Sequence, residues 1–172
     1  LANRRLQSSK LPTLLACTLD DLPENPEIQE LVTDSFNSAL IGIRWKDVEP
    51  NAGEYCWDSV DRQIQWCQAN GLRICAGPLL RLDHFSTPDW IYLWEDDFDQ
   101  LASLLIQFIT NAVNRYRGKV HLWQASARLN VTSNISLSEE QRLRLAVGSV
   151  EAIRKLDPQT PTVVSFDQPW GE

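Results

Sequence analysis

Apolar residues along this chain form two alternating kinds of run. Short, nearly unbroken runs cover residues 13–19, 39–45, 72–82, 120–126 and 162–166. Each reads as a strand buried on both faces. Between them the apolar positions recur every three to four residues. Ile28, Leu31, Val32 and Phe36 share one helical face over 26–36, and Val60, Ile64 and Cys67 share another over 58–70, where Gly71 ends the helix. Asp97, with Gln100 three positions on, marks the start of a longer helix. Its stripe is Leu101, Leu104, Leu105, Phe108, Ile109 and Val113, and Gly118 stops it. Ser138 and Gln141 make a capping-box pair ahead of Leu143, Ala146, Val150 and Ile153. Pro158 and Pro161 then force a turn before the last strand.

Strand and helix alternate from end to end, which predicts βαβ units on a parallel sheet, an α/β fold in one domain over residues 1–172. There is no internal repeat, low-complexity tract or linker. The segment 82–96 is a long strand-to-helix connection rich in Trp and Asp. In barrels such connections build the active-site face.

The net charge of -7 argues against nucleic-acid backbones and anionic membranes as main partners. No apolar run approaches the ~20 residues of a membrane span, and no secretory leader pattern opens the sequence. A chain that begins at Leu1 and holds no Met reads as a fragment or a processed form. Cys17, Cys56, Cys67 and Cys75 match neither zinc nor CxxC spacing. They read as free thiols, which points to a reducing, cytoplasmic compartment. Asn130-Val131-Thr132 and Asn134-Ile135-Ser136 fit the glycosylation tripeptide, a pattern common by chance. No metal-ligand cluster and no glycine-rich phosphate loop appears, so no metal or cofactor is expected.

Three stretches carry a family resemblance. Arg44-Trp45-Lys46-Asp47-Val48-Glu49-Pro50-Asn51-Ala52-Gly53-Glu54-Tyr55 resembles the second-strand segment of the family-10 glycoside hydrolases, the xylanases. Residues 66–74 are similar to that family's approach to its third strand, with Pro88-Asp89-Trp90 as the Pro-x-Trp that follows. Residues 114–123 are similar to its approach to the fourth. The resemblance implies a (β/α)8 barrel of the TIM type, of which about five βα units are present here. A half-barrel would leave two open sheet edges. Either further strands complete it, or it pairs with another chain, as in a homo-oligomer.

The resemblance also marks departures. In the family the fourth strand ends Trp-Asp-x-x-Asn-Glu, and that Glu is the general acid/base. Here the residues are Trp123-Gln124-Ala125-Ser126-Ala127-Arg128. A guanidinium with a pKa above ~12 carries no proton exchangeable at neutral pH. Leu40 and Ile41 occupy the family's acidic and amide positions on the second strand, and Arg44 replaces its Lys. His84 or Asp83 aligns with a family His on the third. The resemblance places the nucleophilic Glu beyond residue 172.

At the strand ends the candidate binding residues are Arg44, Trp45, Arg81, Asp83, His84, Gln124, Arg128 and Asp167, with Lys46, Ser126, Asn130, Gln168 and Trp170 beside them. Arg forks suit carboxylates, sulfates or phosphates, so the expected partner is carbohydrate, anionic or sulfated. Asp83 and Asp167 are the weak candidates for a relocated acid. A competing expectation is that Arg44, Arg81 and Arg128 simply pair with Asp47, Asp83 and Asp167. Trp45, Trp123 and Trp170 could stack on sugars or fill the core, whereas Trp57, Trp66, Trp90 and Trp94 read as packing residues. His121 reads as a strand residue facing a helix. Three functions therefore stay open: a carbohydrate-binding barrel without the family mechanism, a polysaccharide hydrolase with a relocated acid, and a non-catalytic scaffold that engages another protein.

Overall fold

In this computed structural model, residues 13–131 and 135–167 are described. Strands β1 (Ala16–Leu19), β2 (Ser38–Ile41), β3 (Arg73–Ala76), β4 (Leu122–Ala127) and β5 (Thr162–Ser165) form one sheet in sequence order, with every adjacent pair parallel. The crossovers are helices: α1 (Pro26–Ser35), α2 (Trp45–Val48) with α3 (Asp58–Ala69), α4 (Phe98–Tyr116) and α5 (Glu139–Leu156). A 3-10 helix, Asp89–Trp94, lies within the connection between β3 and α4.

Local chemistry sets the helix ends. Asn25 accepts from the Glu27 N–H ahead of Pro26 at the first turn of α1, and Asp97 accepts from the Gln100 N–H at the start of α4. At α5 the Ser138 and Gln141 side chains bond each other's backbone reciprocally, as the sequence predicts.

Strand register sorts side chains into two faces. Leu19, Ala39, Ile41, Ile74, Ala76, Trp123 and Ala125 pack with helix residues such as Ile64, Leu105, Phe108 and Ile153 in one core. The alternate positions, Ala16 with Ser38 and Arg73, Thr18 with Leu40 and Cys75, and Gln124 with Val163, lie on the opposite face. Ala16 and Thr18 there are exposed, as is Val163. Among the described residues β1 pairs with β2 alone and β5 with β4 alone.

The strands are shorter than the apolar runs suggest. The run 39–45 predicts strand throughout, but β2 ends at Ile41 and Trp45 opens α2. The run 72–82 also predicts one strand, but β3 ends at Ala76. Gly77 follows with φ +128°, then a cis bond to Pro78, which has no N–H for a ladder. His121 is a correction too. It precedes β4 and faces β3, its Nδ1 accepting the Ile74 N–H at 3.1 Å while its own N–H donates to the Ile74 carbonyl at 2.8 Å.

Candidate functional site

The site is built where β3 and β4 end. Beyond Gly77 the chain stays bonded to β4: the Leu79 N–H donates to the Gln124 carbonyl at 3.0 Å and the Leu80 N–H to that of Ala125 at 2.9 Å. The Ala127 N–H returns a bond to the Leu80 carbonyl at 3.0 Å. Gly77 permits this approach, because a Cβ there would lie 2.3 Å from the Gln124 carbonyl oxygen. The ladder thus brings Arg81 and Arg128 to the same end of the two segments, each one residue past a bonded position, where both line one cavity.

Arg128 leaves β4 with φ +63°, in the left-handed region, after a register shift between Gln124 and Ser126. Its Nε lies 2.8 Å from an Asp167 carboxylate oxygen. Asp167 is held in turn by Asn130, whose Nδ2 donates to the Asp167 carbonyl at 2.6 Å and whose Oδ1 accepts the Asp167 N–H at 3.1 Å. Asn130 belongs to one of the glycosylation tripeptides; residues 132 and 134 of the two tripeptides lie outside the described residues.

Asp83 organises the other wall. One of its oxygens takes the Arg81 Nε–H, and the other accepts the N–H groups of Phe85 at 3.1 Å and Ser86 at 3.0 Å. Burial pushes its pKa up, but the bonds from Ser86 and Arg81 outweigh that and hold it below the usual carboxylate value. Asp83 is therefore kept ionised, which runs against its candidacy as a proton donor. The His84 and Phe85 rings lie against each other with centroids 3.7 Å apart.

Arg81, Asp83, His84 and Arg128 line one cavity of about 250 Å³ together with Leu82, Phe85 and Val131. Asp167 joins it through Arg128. Gln124 stands lower on β4 and donates to the Ser165 Oγ at 2.8 Å. Arg44 is not in the cavity lining; it pairs with Asp47 on the exposed first turn of α2, as Lys46 pairs with Asp89 at 2.8 Å. All three Arg–Asp pairs expected from the sequence are present.

Two aromatic candidates are corrected. Trp45 is only 4% exposed, stacked on Phe108 at 5.3 Å and met edge-on by Trp90 at 5.5 Å, so neither face is open to a sugar. Its indole N–H donates to the buried Glu49 carboxylate at 2.7 Å. Trp123 is fully buried on the helix-covered face and donates to Asp157 at 2.9 Å. Gln168 and Trp170 lie outside the described residues. Phe85 and Val131 line the cavity without standing among the candidates the sequence singles out. The signal for Phe85 is weak: an aromatic residue inside a turn-forming Asp-His-Phe-Ser-Thr stretch. Among the described residues no group of three His, Cys, Asp or Glu could hold a metal ion, and no helix is long and apolar enough to cross a membrane.

Comparison with known proteins agrees with this architecture. The chain is 30% identical over 109 residues to "Endo-1,4-beta-xylanase C" of Paenibacillus barcinonensis, a match covering 59% of the chain and 10% of that protein. It is 25% identical over 105 residues to "Endo-1,4-beta-xylanase A" of Xylanibacter ruminicola, covering 58% and 28%. Among solved structures it is similar to xylanase 10B from Thermotoga petrophila RKU-1 in complex with xylobiose, with a TM-score of 0.71 at 16% identity over 87% of this chain and 48% of that one. A family-10 structure from Paenibacillus barcinonensis gives 0.71 at 23% identity, over 94% and 52%. The chain thus spans about half the length of these solved relatives, and its parallel sheet with helical crossovers is part of a TIM-type barrel. With residues 5–127 matching the family described as "Glycosyl hydrolase family 10", the chain belongs to that family of glycoside hydrolase-like barrels.

Proposed function

We propose that this protein binds carbohydrate at the cavity between Arg81 and Arg128 and does not cleave xylan by the two-carboxylate route. The observation that carries the reading is Arg128. By resemblance it stands at the acid/base position, and its guanidinium is paired with Asp167. Hydrolysis of that kind needs a carboxylic acid able to release a proton near the working pH. Among the described residues the carboxylate in the cavity lining, Asp83, is bonded to Arg81 and held ionised. That the Thermotoga petrophila xylanase was solved with xylobiose supports a sugar as ligand class. Reducing-sugar release from xylan and calorimetric titration with xylotetraose test the reading together. The expected result is binding without hydrolysis; xylan turnover abolished by Asp83→Asn would establish the relocated acid instead.

A second reading is favoured by the sheet edges. β1 and β5 each lack a second strand partner among the described residues, and Ala16, Thr18 and Val163 on these two strands are exposed. A scaffold engaging another chain there would show concentration-dependent mass in size-exclusion chromatography with light scattering. A constant monomer mass argues against it.

A further inference from the structure

We infer that the cavity takes a single acidic monosaccharide unit, its carboxylate met by Arg81 and Arg128 and its ring resting on Phe85; this deepens the carbohydrate-binding reading and rests on it.

Size sets how much of a ligand these residues can hold. At about 250 Å³ the cavity has room for one pyranose ring.

Charge selects among rings. The bond between the Ala127 N–H and the Leu80 carbonyl sets Arg81 and Arg128 on neighbouring segments, which run about 4.8 Å apart in a sheet. Each guanidinium is held through Nε by its own carboxylate, Asp83 or Asp167. The terminal nitrogens of both carry no hydrogen bond to another described residue. The bond from Arg81 Nε to Asp83 sets the plane of that fork, the Arg128 Nε lies 2.8 Å from Asp167, and the outer edges of both are left for a ligand. Two such edges can meet the two oxygens of one carboxylate. Because Asp83 and Asp167 balance the two guanidiniums, there is no surplus positive charge for a multiply sulfated chain. Directional bonds to a lone carboxylate remain.

The third element is Phe85. It is 63% exposed, yet it is positioned: Asp83 accepts its N–H at 3.1 Å, and its ring packs on His84. An apolar ring fixed at the wall of a polar cavity can cover the C–H face of a sugar.

Methyl β-D-glucuronide and methyl β-D-glucoside differ only in carboxylate against hydroxymethyl, and calorimetric titration of the full chain with each reads the preference. The expected result is at least about tenfold tighter binding of the glucuronide, in line with charge-assisted hydrogen bonds. Phe85→Ala should weaken it about fivefold or more; Phe85→Tyr should retain it, with unchanged far-UV circular dichroism in both variants. Equal affinity for the two glycosides overturns the acidic-sugar assignment and leaves carbohydrate binding standing. Full affinity in Phe85→Ala overturns the platform. Failure of the protein to bind the glucuronide, the glucoside and xylotetraose overturns this inference and the underlying reading together.

Discussion

The guanidinium of Arg128 and the carboxylate of Asp167 face each other across the ends of β4 and β5 at 2.8 Å, with 49% and 41% of the two side chains exposed. Exposed pairs of this kind contribute roughly 0–1 kcal/mol. The backbone of Arg128 matters more, since φ +63° disfavours any residue with a Cβ. Arg128→Gly should therefore be more stable than Arg128→Ala by about 1 kcal/mol in urea denaturation. A reversed order would show that the left-handed geometry is not held in solution.

Glu49 is buried at 5% exposure and accepts from the Trp45 indole at 2.7 Å and the Gly53 N–H at 2.8 Å, while its carbonyl takes the Trp90 indole at 3.0 Å. Glu49→Ala strands the Trp45 indole donor in the interior and removes the partner of the more exposed Gly53 N–H. We expect a loss of about 2–4 kcal/mol with a red-shifted tryptophan emission, and a smaller loss for Glu49→Gln, whose carbonyl can still accept.

Gly77→Ala places a methyl group 2.3 Å from the Gln124 carbonyl oxygen, on a backbone at φ +128°. The obstacle is main chain of the neighbouring strand and cannot swing aside. The expected destabilisation is at least about 2 kcal/mol, read from the thermal midpoint. A variant as stable as the parent would mean that β3 and β4 separate easily beyond Ala76.

Two groups set separate acid limits on stability. Asp61 has its pKa lowered chiefly by the hydrogen bond from Arg115, against burial, with Tyr116 adding a second bond. The unfolded chain then binds more protons, so this contribution is present above the ordinary value of about 4 and is lost as pH falls through the folded value. His121 has its pKa lowered by burial and then by Arg73, and as a neutral ring it accepts the Ile74 N–H. Its contribution is present above about 6.5 and declines as pH falls below that. Denaturation midpoints followed from pH 8 to 3 should show two declines; Asp61→Asn should reduce only the lower, to which Asp83 also contributes, and His121→Gln should reduce only the upper.

The fold is legible in the sequence where information is local. The Asn25, Asp97 and Ser138 caps and the stripe from Leu101 to Val113 depend on neighbours within a few residues, and the Asp97 and Ser138 caps and that stripe are all readable. The facing of Trp45 and Trp123 is not. It depends on where β2 stops and on how β4 pairs with β3 and β5, and a shift of one position sends a side chain to the other face. Leu79, Leu80 and Leu82 extend the third apolar run beyond the true strand because they are buried in the connection, where burial leaves the same signal as a ladder. The three Arg–Asp pairs are legible as one of two alternatives: Arg44 with Asp47 and Arg81 with Asp83 are close in sequence, whereas Arg128 with Asp167 is a long-range pairing that local pattern does not fix.

The left-handed turn at Arg128 decides where any side chain at that position goes. A side chain there departs from the strand in a direction that a residue continuing the β backbone would not share. A glutamate placed at this one position would carry a carboxyl group along the guanidinium's path, toward Asp167. A carboxyl group aimed elsewhere would need a different backbone conformation at this position.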